Sequence, residues 1–383
     1  MTLAPMTVAS AIEPALPTAP PMLDQVDEIS RTRLAPMARE IDAGAYPTEV
    51  MRAFGAAGAY GAHLPEAGAA ALGPDLGDAI RAMARASEEC ISTGFCMWCQ
   101  NALGWYVYAS ENPALKSGIG EQIRSGAMLG GTGLSNPMKT FFGIETMRLK
   151  GVRVAGGYQV KGALPWVSNL VPDSAFGMVF EVEDAAAPGG VRQVMAVAKT
   201  ATDGVKIVED HDFVAMGGTQ TYAVQFRDAL IPDSQILADP IDDYLKRIRA
   251  GFVLMQCGMA LGMVKSCIAL MRQVERQLGH VNRYLEKQPA DFEEALEALE
   301  AEVYALAKTP FDPDPQYFRR VVQARLDGGE AAMSAAHYAM LHCGARGYVG
   351  QGVAQRRLRE SYFIGIVTPA TKQLRKMLAE LPQ

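Results

Sequence analysis

Glycines punctuate the run Cys343-Gly-Ala-Arg-Gly-Tyr-Val-Gly-Gln-Gly352. A turn so rich in glycine can present backbone N–H groups to a pyrophosphate, and Gly344 and Gly347 are the positions of interest. The same residues serve equally well as the C-cap and turn that end a helix. Lys139 places a cation next to Ser135-Asn-Pro137, either to meet a phosphate or as a solvated loop lysine. Cys96-Met-Trp-Cys99 is a CxxC pair, but no second pair and no histidine cluster completes a zinc tetrahedron. The 6 cysteines therefore read as buried free thiols in a reducing cytoplasm. Trp98, Phe141, Phe142 and Tyr362 either line an apolar pocket or belong to the core, as single aromatics at regular spacing usually do. Gly251 to Gly262 matters for a different reason: it holds no acid at all.

Whole-chain properties narrow the partners. With 383 residues the chain can bury two or three cores, and its net charge of −6, without any Lys/Arg-rich face, argues against a nucleic-acid partner. No apolar run is expected to reach the roughly 18 residues that cross a bilayer. Residues 1–22 are rich in Ala and Pro and carry one charge, Glu13. Lacking the positive start of a signal peptide, they read as a disordered lead-in.

The elements that must position these residues follow from hydrophobic period. Over 23–123 apolar residues recur at three and four, as in Leu34, Met37 and Ile41, or Val50, Phe54 and Ala57. Asp78–Cys90 and Trp98–Ala109 read as further amphipathic helices. Over 124–239 the period drops toward two: Met147–Val154 alternates, Gly156-Gly157 is a hairpin turn, and Tyr158 resumes alternation. This zone is expected to be a compact antiparallel β-domain. From 240 to 383 the helical period returns, with a long apolar segment at Ile248–Gln277, an Ala/Glu/Leu-rich helix at Ala290–Lys308, a break at the prolines of Thr309–Pro315, a helix over Tyr317–Cys343 and one final helix. The fold class is thus α+β, with helical domains on either side of a β-domain.

That order resembles the acyl-CoA dehydrogenase family, and local motifs strengthen the likeness. Leu34–Asp42, Pro47, Gly55–Gly58 and Pro65 look like its opening helix pair. Gly131-Thr-Gly-Leu-Ser-Asn-Pro137 is similar to its "T-E-P" loop, and Gly156–Asn169 to its "G-x-K-x-W-I-T-N" strand. Asp210-His-Asp212, Met216–Thr219 and Phe226–Pro232 follow in the family's order, then Gly344–Tyr348 and Arg359-Glu-Ser361. The resemblance spans about residues 25–380 and implies bound FAD. Trp166 would pack on the isoalloxazine, Ser168 would bond near N5 in place of a threonine, and Ser135 with the Leu134 backbone would serve the pyrimidine side. Gly344 and Gly347, with Arg276, would meet the diphosphate of a neighbouring subunit's FAD; the motif around Arg276 is one residue short and carries Leu278 for Phe. A homodimer or homotetramer, an acyl thioester substrate and an electron-transfer flavoprotein as redox partner come with the resemblance.

α,β-Dehydrogenation of a thioester removes a weakly acidic α-proton, so a carboxylate base is expected. The family's usual glutamate position is Thr368 here, and its alternative lies on the acid-free helix around Gly251–Gly262. A hydroxyl does not replace that carboxylate. The "A-G-S-D" of the family's CoA loop is replaced by Lys139–Phe142. Three readings stay open: a dehydrogenase whose base has moved, with Glu360 and Asp212 as candidates; a flavin monooxygenase or oxidase, which needs no such base; and a silent subunit of a mixed oligomer. The pocket candidates are Phe141, Phe142, Tyr362 and Thr368.

Overall fold

The computed structural model describes residues 21–65, 75–208 and 211–382. The expected lead-in falls almost wholly outside the described residues, and Met22 already opens a helix.

The first helical group comprises α1 (Met22–Ile29), α2 (Ala35–Asp42), α3 (Thr48–Ala56), α4 (Gly77–Glu89), α5 (Ile91–Ala109) and the short turns α6 (Pro113–Leu115) and α7 (Glu121–Arg124). Helix α4 buries Ile80, Met83, Ala84 and Ser87, one stripe at helical spacing. Helix α5 buries every residue except Tyr108, the pattern of a helix enclosed on all sides. Where the sequence suggested a helix starting near Trp98, α5 begins at Ile91, separated from α4 by Cys90 in extended backbone. Propensity misses this joint because one extended residue is enough to turn the chain.

The strands are β1 (Gly130–Thr132), then, after helix α8 (Ser135–Phe141), β2 (Lys150–Val154), β3 (Gly157–Val167), β4 (Ala175–Glu183), β5 (Val191–Lys199), β6 (Val205–Val208), β7 (Tyr222–Pro232) and β8 (Ile236–Ala238). They form one sheet in the order β6-β7-β3-β2-β4-β5-β8, with β1 on β4. The sheet is rich in antiparallel pairs but not wholly antiparallel, since β4 pairs in parallel with both β1 and β2. Strand β4 divides two cores by its period of two. Ala175 and Val179 join the core shared with the helices, while Phe176, Met178 and Phe180 join a second core on the opposite face.

The closing helices are α9 (Asp242–Met255), α10 (Cys257–Asn282), α11 (Pro289–Ala307), α12 (Pro315–Cys343), α13 (Val353–Ile366) and α14 (Thr371–Glu380). The single final helix expected from the sequence is thus two, broken around the cis Thr368-Pro369 bond. The expectation about apolar runs is also corrected. Asp242–Asn282 contains an 18-residue window of mean hydropathy 1.6, long and apolar enough to cross a membrane, but 72% of that window is buried in the protein. Such burial is what a core helix looks like. Glycines let α9 and α10 pack closely: a Cβ on Gly251 would sit 2.7 Å from the Trp105 ring, and one on Gly262 would sit 2.3 Å from the Ala84 carbonyl.

Candidate active site

A cavity of about 410 Å³ opens between the sheet and the helices, within the range of small-molecule sites. Its sheet side starts with the Gly131-Thr-Gly-Leu-Ser135 segment leaving β1. There Gly131 is required because a Cβ would lie 1.8 Å from the Ser168 carbonyl, where Thr132 and Ser168 bridge. That close approach brings Leu134 and Ser135 beside Trp166 and Ser168, which follow each other at a spacing of two along the end of β3 and the residue after it. Trp166 is 39% exposed and stacks on His211, with ring centroids 4.1 Å apart.

Hydroxyls on this side form a chain. Thr221 Oγ1 donates to Ser168 Oγ at 2.9 Å and lies 2.8 Å from Thr219 Oγ1. A hydroxyl has one proton. With Thr221 donating to it, Ser168 keeps its own proton for a group in the cavity. Ser135 Oγ is 3.2 Å from Thr368 Oγ1.

The opposite side is apolar and largely aromatic. Phe95 and Trp98 come from α5, Phe252 from α9 and Phe363 from α13. Thr368 is fixed here by a buried relay: Gln256 Nε2 donates to its carbonyl at 2.9 Å, and Arg325 Nε donates to Gln256 Oε1 at 2.8 Å. Arg325 is 1% exposed and also donates to the Ile364 carbonyl at 2.6 Å. Burial pulls its guanidinium down to about 10.

Lys139 is the one charged side chain among the described residues lining the cavity, and it is ion-paired to Glu145 at 3.0 Å. No carboxylate lines it among the described residues. Glu360 is fully buried elsewhere, held by Arg356 at 3.0 Å and Arg357 at 2.9 Å, so it is a structural ion-pair partner. Asp212 lies in a neighbouring polar crevice with Asp42 and Arg359; Asp210 is outside the described residues.

Other sequence candidates land elsewhere. Phe141 and Phe142 pack half-buried on the helical core at the end of α8, and neither lines the cavity. Tyr362 is 61% exposed, whereas its neighbour Phe363 lines the cavity, because successive helix residues point about 100° apart. Gly344 and Gly347 form the end of α12: the Gly344 N–H donates to Met340 and Leu341 carbonyls, and the Gly347 N–H to Gly344. Both donors are engaged within the cap of the single chain. Arg276 is exposed near this turn, where Arg346 bonds Gln277 at 2.9 Å, and it does not line the cavity. Trp98 was already a pocket candidate, but Phe95, Phe252, Phe363 and the Gln256–Arg325 relay were missed by sequence reasoning; rings and a buried cation spread over α5, α9, α12 and α13 gave no local signal. All 6 cysteines are free and buried, and burial pushes the Cys96 and Cys99 thiols up.

With this geometry in view, the comparisons with known proteins can be placed. Residues 20–127 match the family described as acyl-CoA dehydrogenase, N-terminal domain. The chain is 23% identical over 366 residues to benzylmalonyl-CoA dehydrogenase of Aromatoleum aromaticum (strain DSM 19018 / LMG 30748 / EbN1), covering 93% of this chain and 95% of that protein. Its fold is that of butyryl-CoA dehydrogenase from Megasphaera elsdenii, with a TM-score of 0.81 at 18% identity over 94% of this chain and 96% of the other. It is also that of dibenzothiophene monooxygenase from Paenibacillus sp. A11-2, with a TM-score of 0.78 at 16% identity over 94% and 98%. Fold and site together define a chain with two helical layers around a central sheet and a cavity between them. The chain is thus similar to acyl-CoA dehydrogenases over most of its length, and its N-terminal helical region matches that family's model.

Proposed function

We propose that the chain is an FAD-dependent oxidoreductase that desaturates the CH–CH bond of an acyl thioester. The observation that carries this reading is the convergence of Leu134, Ser135, Trp166 and Ser168 on one wall of one cavity. These residues fit a flavin: an accessible indole to pack on the ring, a Ser168 hydroxyl proton free to donate, and, among the described residues, no carboxylate lining the cavity to oppose a reduced, anionic cofactor. The chemistry FAD supplies when bound is acceptance of the β-hydrogen as hydride. The chain's residues orient the substrate and keep water from the aromatic side, while the α-proton has no carboxylate to receive it among the described residues. That proton must pass to solvent, which favours a substrate whose α-position is already acidified. Lys139 stands near the cavity as the cation for an acidic group. In an oligomer, the exposed Arg276 guanidinium is the group placed to reach a neighbouring subunit's FAD, and an electron-transfer flavoprotein is the acceptor that suits the dehydrogenase reading.

That no carboxylate lines the cavity among the described residues favours one second reading, in which the reduced enzyme reacts with O2 and needs no α-proton base. Anaerobic mixing of the flavin-loaded protein with a panel of acyl-CoA thioesters separates the two. Bleaching of the flavin band supports desaturation. No bleaching with any thioester, together with substrate-dependent oxygen consumption by the chemically reduced protein, contradicts it and supports the second reading.

A further inference from the structure

The geometry points to an aryl-bearing substrate: the helical wall of the cavity is an aromatic box that recognises a planar ring rather than a straight aliphatic chain. This rests on the reading of the sheet side as the cofactor wall, and it names the class of molecule that faces the other wall. Phe95 and Trp98 lie parallel, with centroids 5.6 Å apart and an interplanar angle of 16°. Phe363 meets Phe95 edge-on at 4.7 Å and 71°, and Phe252 meets Trp98 edge-on at 5.0 Å and 62°. The four rings thus show both faces and edges across one wall, and all four line the cavity.

An aliphatic chain gains from such a wall only the burial of its surface. A planar ring gains in addition from quadrupole-matched contacts, offset over one ring and edge-on to another. The wall is fixed in place: Phe95 is 4% exposed and Trp98 2%, and the Trp98 indole N–H donates to the Phe252 carbonyl at 3.3 Å. Preorganised rings lose little freedom on binding, so the preference survives as affinity.

The test compares 3-phenylpropanoyl-CoA with 3-cyclohexylpropanoyl-CoA, equal in carbon count and unlike in ring electronics, and benzyl alcohol with cyclohexylmethanol as the same contrast without CoA. Binding is read by quenching of tryptophan fluorescence and, where flavin is present, by perturbation of its visible band. The expected result is at least tenfold tighter binding of the phenyl member in both pairs. Phe363→Leu should remove most of that preference, and Phe363→Tyr should keep it, with each variant's fold checked by circular dichroism. Equal or reversed affinities in both pairs overturn the inference, as does failure of any phenyl probe to bind. A protein that takes up no FAD on reconstitution and still selects phenyl sinks the cofactor reading and leaves the aryl box standing; a flavin-loaded protein blind to the ring does the reverse.

Discussion

The sheet side of the cavity presents hydroxyls, with Ser168, Thr221 and Thr219 linked in a chain and Ser135 beside Thr368, whereas the helical side presents Phe95, Trp98, Phe252 and Phe363. Thr368 apart, the hydroxyls come from the start of α8, the residue after β3 and the segment before β7, held together where the Gly131 backbone nearly touches Ser168. The rings come from α5, α9 and α13, which meet only through long-range packing. A hydroxyl-bearing side assembled locally can keep its donors while the helical side presents mainly apolar surface. The contrast teaches that the two walls are separable in their chemistry.

The largest effect should come from the charge that the helical side does keep, away from the cavity. Glu360→Ala leaves Arg356 and Arg357 buried without their carboxylate, and chemical denaturation should register a loss of about 3–5 kcal/mol. Glu360→Gln should lose stability too while turnover per folded, flavin-loaded molecule stays at the parental level; a proportional collapse of turnover would instead make Glu360 a base. Next comes His63, buried with its ring tilted toward Trp105, a residue of the helix that carries Phe95 and Trp98. Burial lowers it to about 4, so the folded state keeps it neutral while the unfolded chain binds a proton below about 6.5. The unfolded state therefore binds more protons in this window, and stability falls as pH drops from about 6.5 toward about 4, by roughly 2–3 kcal/mol. His63→Phe should flatten that slope in denaturation midpoints taken at pH 7 and pH 5; an unchanged slope assigns the acid sensitivity elsewhere. On the sheet side, Ser168→Ala should weaken flavin retention about tenfold, roughly one charge-assisted hydrogen bond, and Ser168→Thr should restore it. The smallest effect belongs to Lys139→Met, which should leave flavin retention unchanged and shift only KM for thioesters, by a few-fold, because its partially exposed pairing with Glu145 is screened. A loss of flavin in that variant would move Lys139 to the cofactor wall.

How much of this was legible in the sequence divides along the same line. The α–β–α order and the trio Ser135, Trp166 and Ser168 could be read because they sit in short motifs whose neighbours in sequence are also neighbours in space. Trp166 and Ser168 were singled out by the likeness of Gly156–Asn169 to the family's strand motif. Apart from Trp98, the helical wall could not be read. Tyr362 and Phe363 are equally aromatic, and only the packing of α13 decides which faces the cavity. Cys90 as a one-residue joint, Arg325 as a buried cation answered by an amide and a carbonyl, and Gly344 and Gly347 as a closed cap all depend on which partner each backbone or side-chain group finds. The parallel pairing of β4 with β1 and β2 is likewise a matter of topology, invisible to a period of two.

The central claim is that the hydroxyl-and-indole wall holds a flavin, and the visible spectrum of the purified protein reads it most directly. The account predicts flavin bands that survive gel filtration, with FAD released on denaturation near one per chain and lost in a Ser135→Ala/Ser168→Ala double variant that still folds. A colourless protein that takes up no FAD on reconstitution would contradict it.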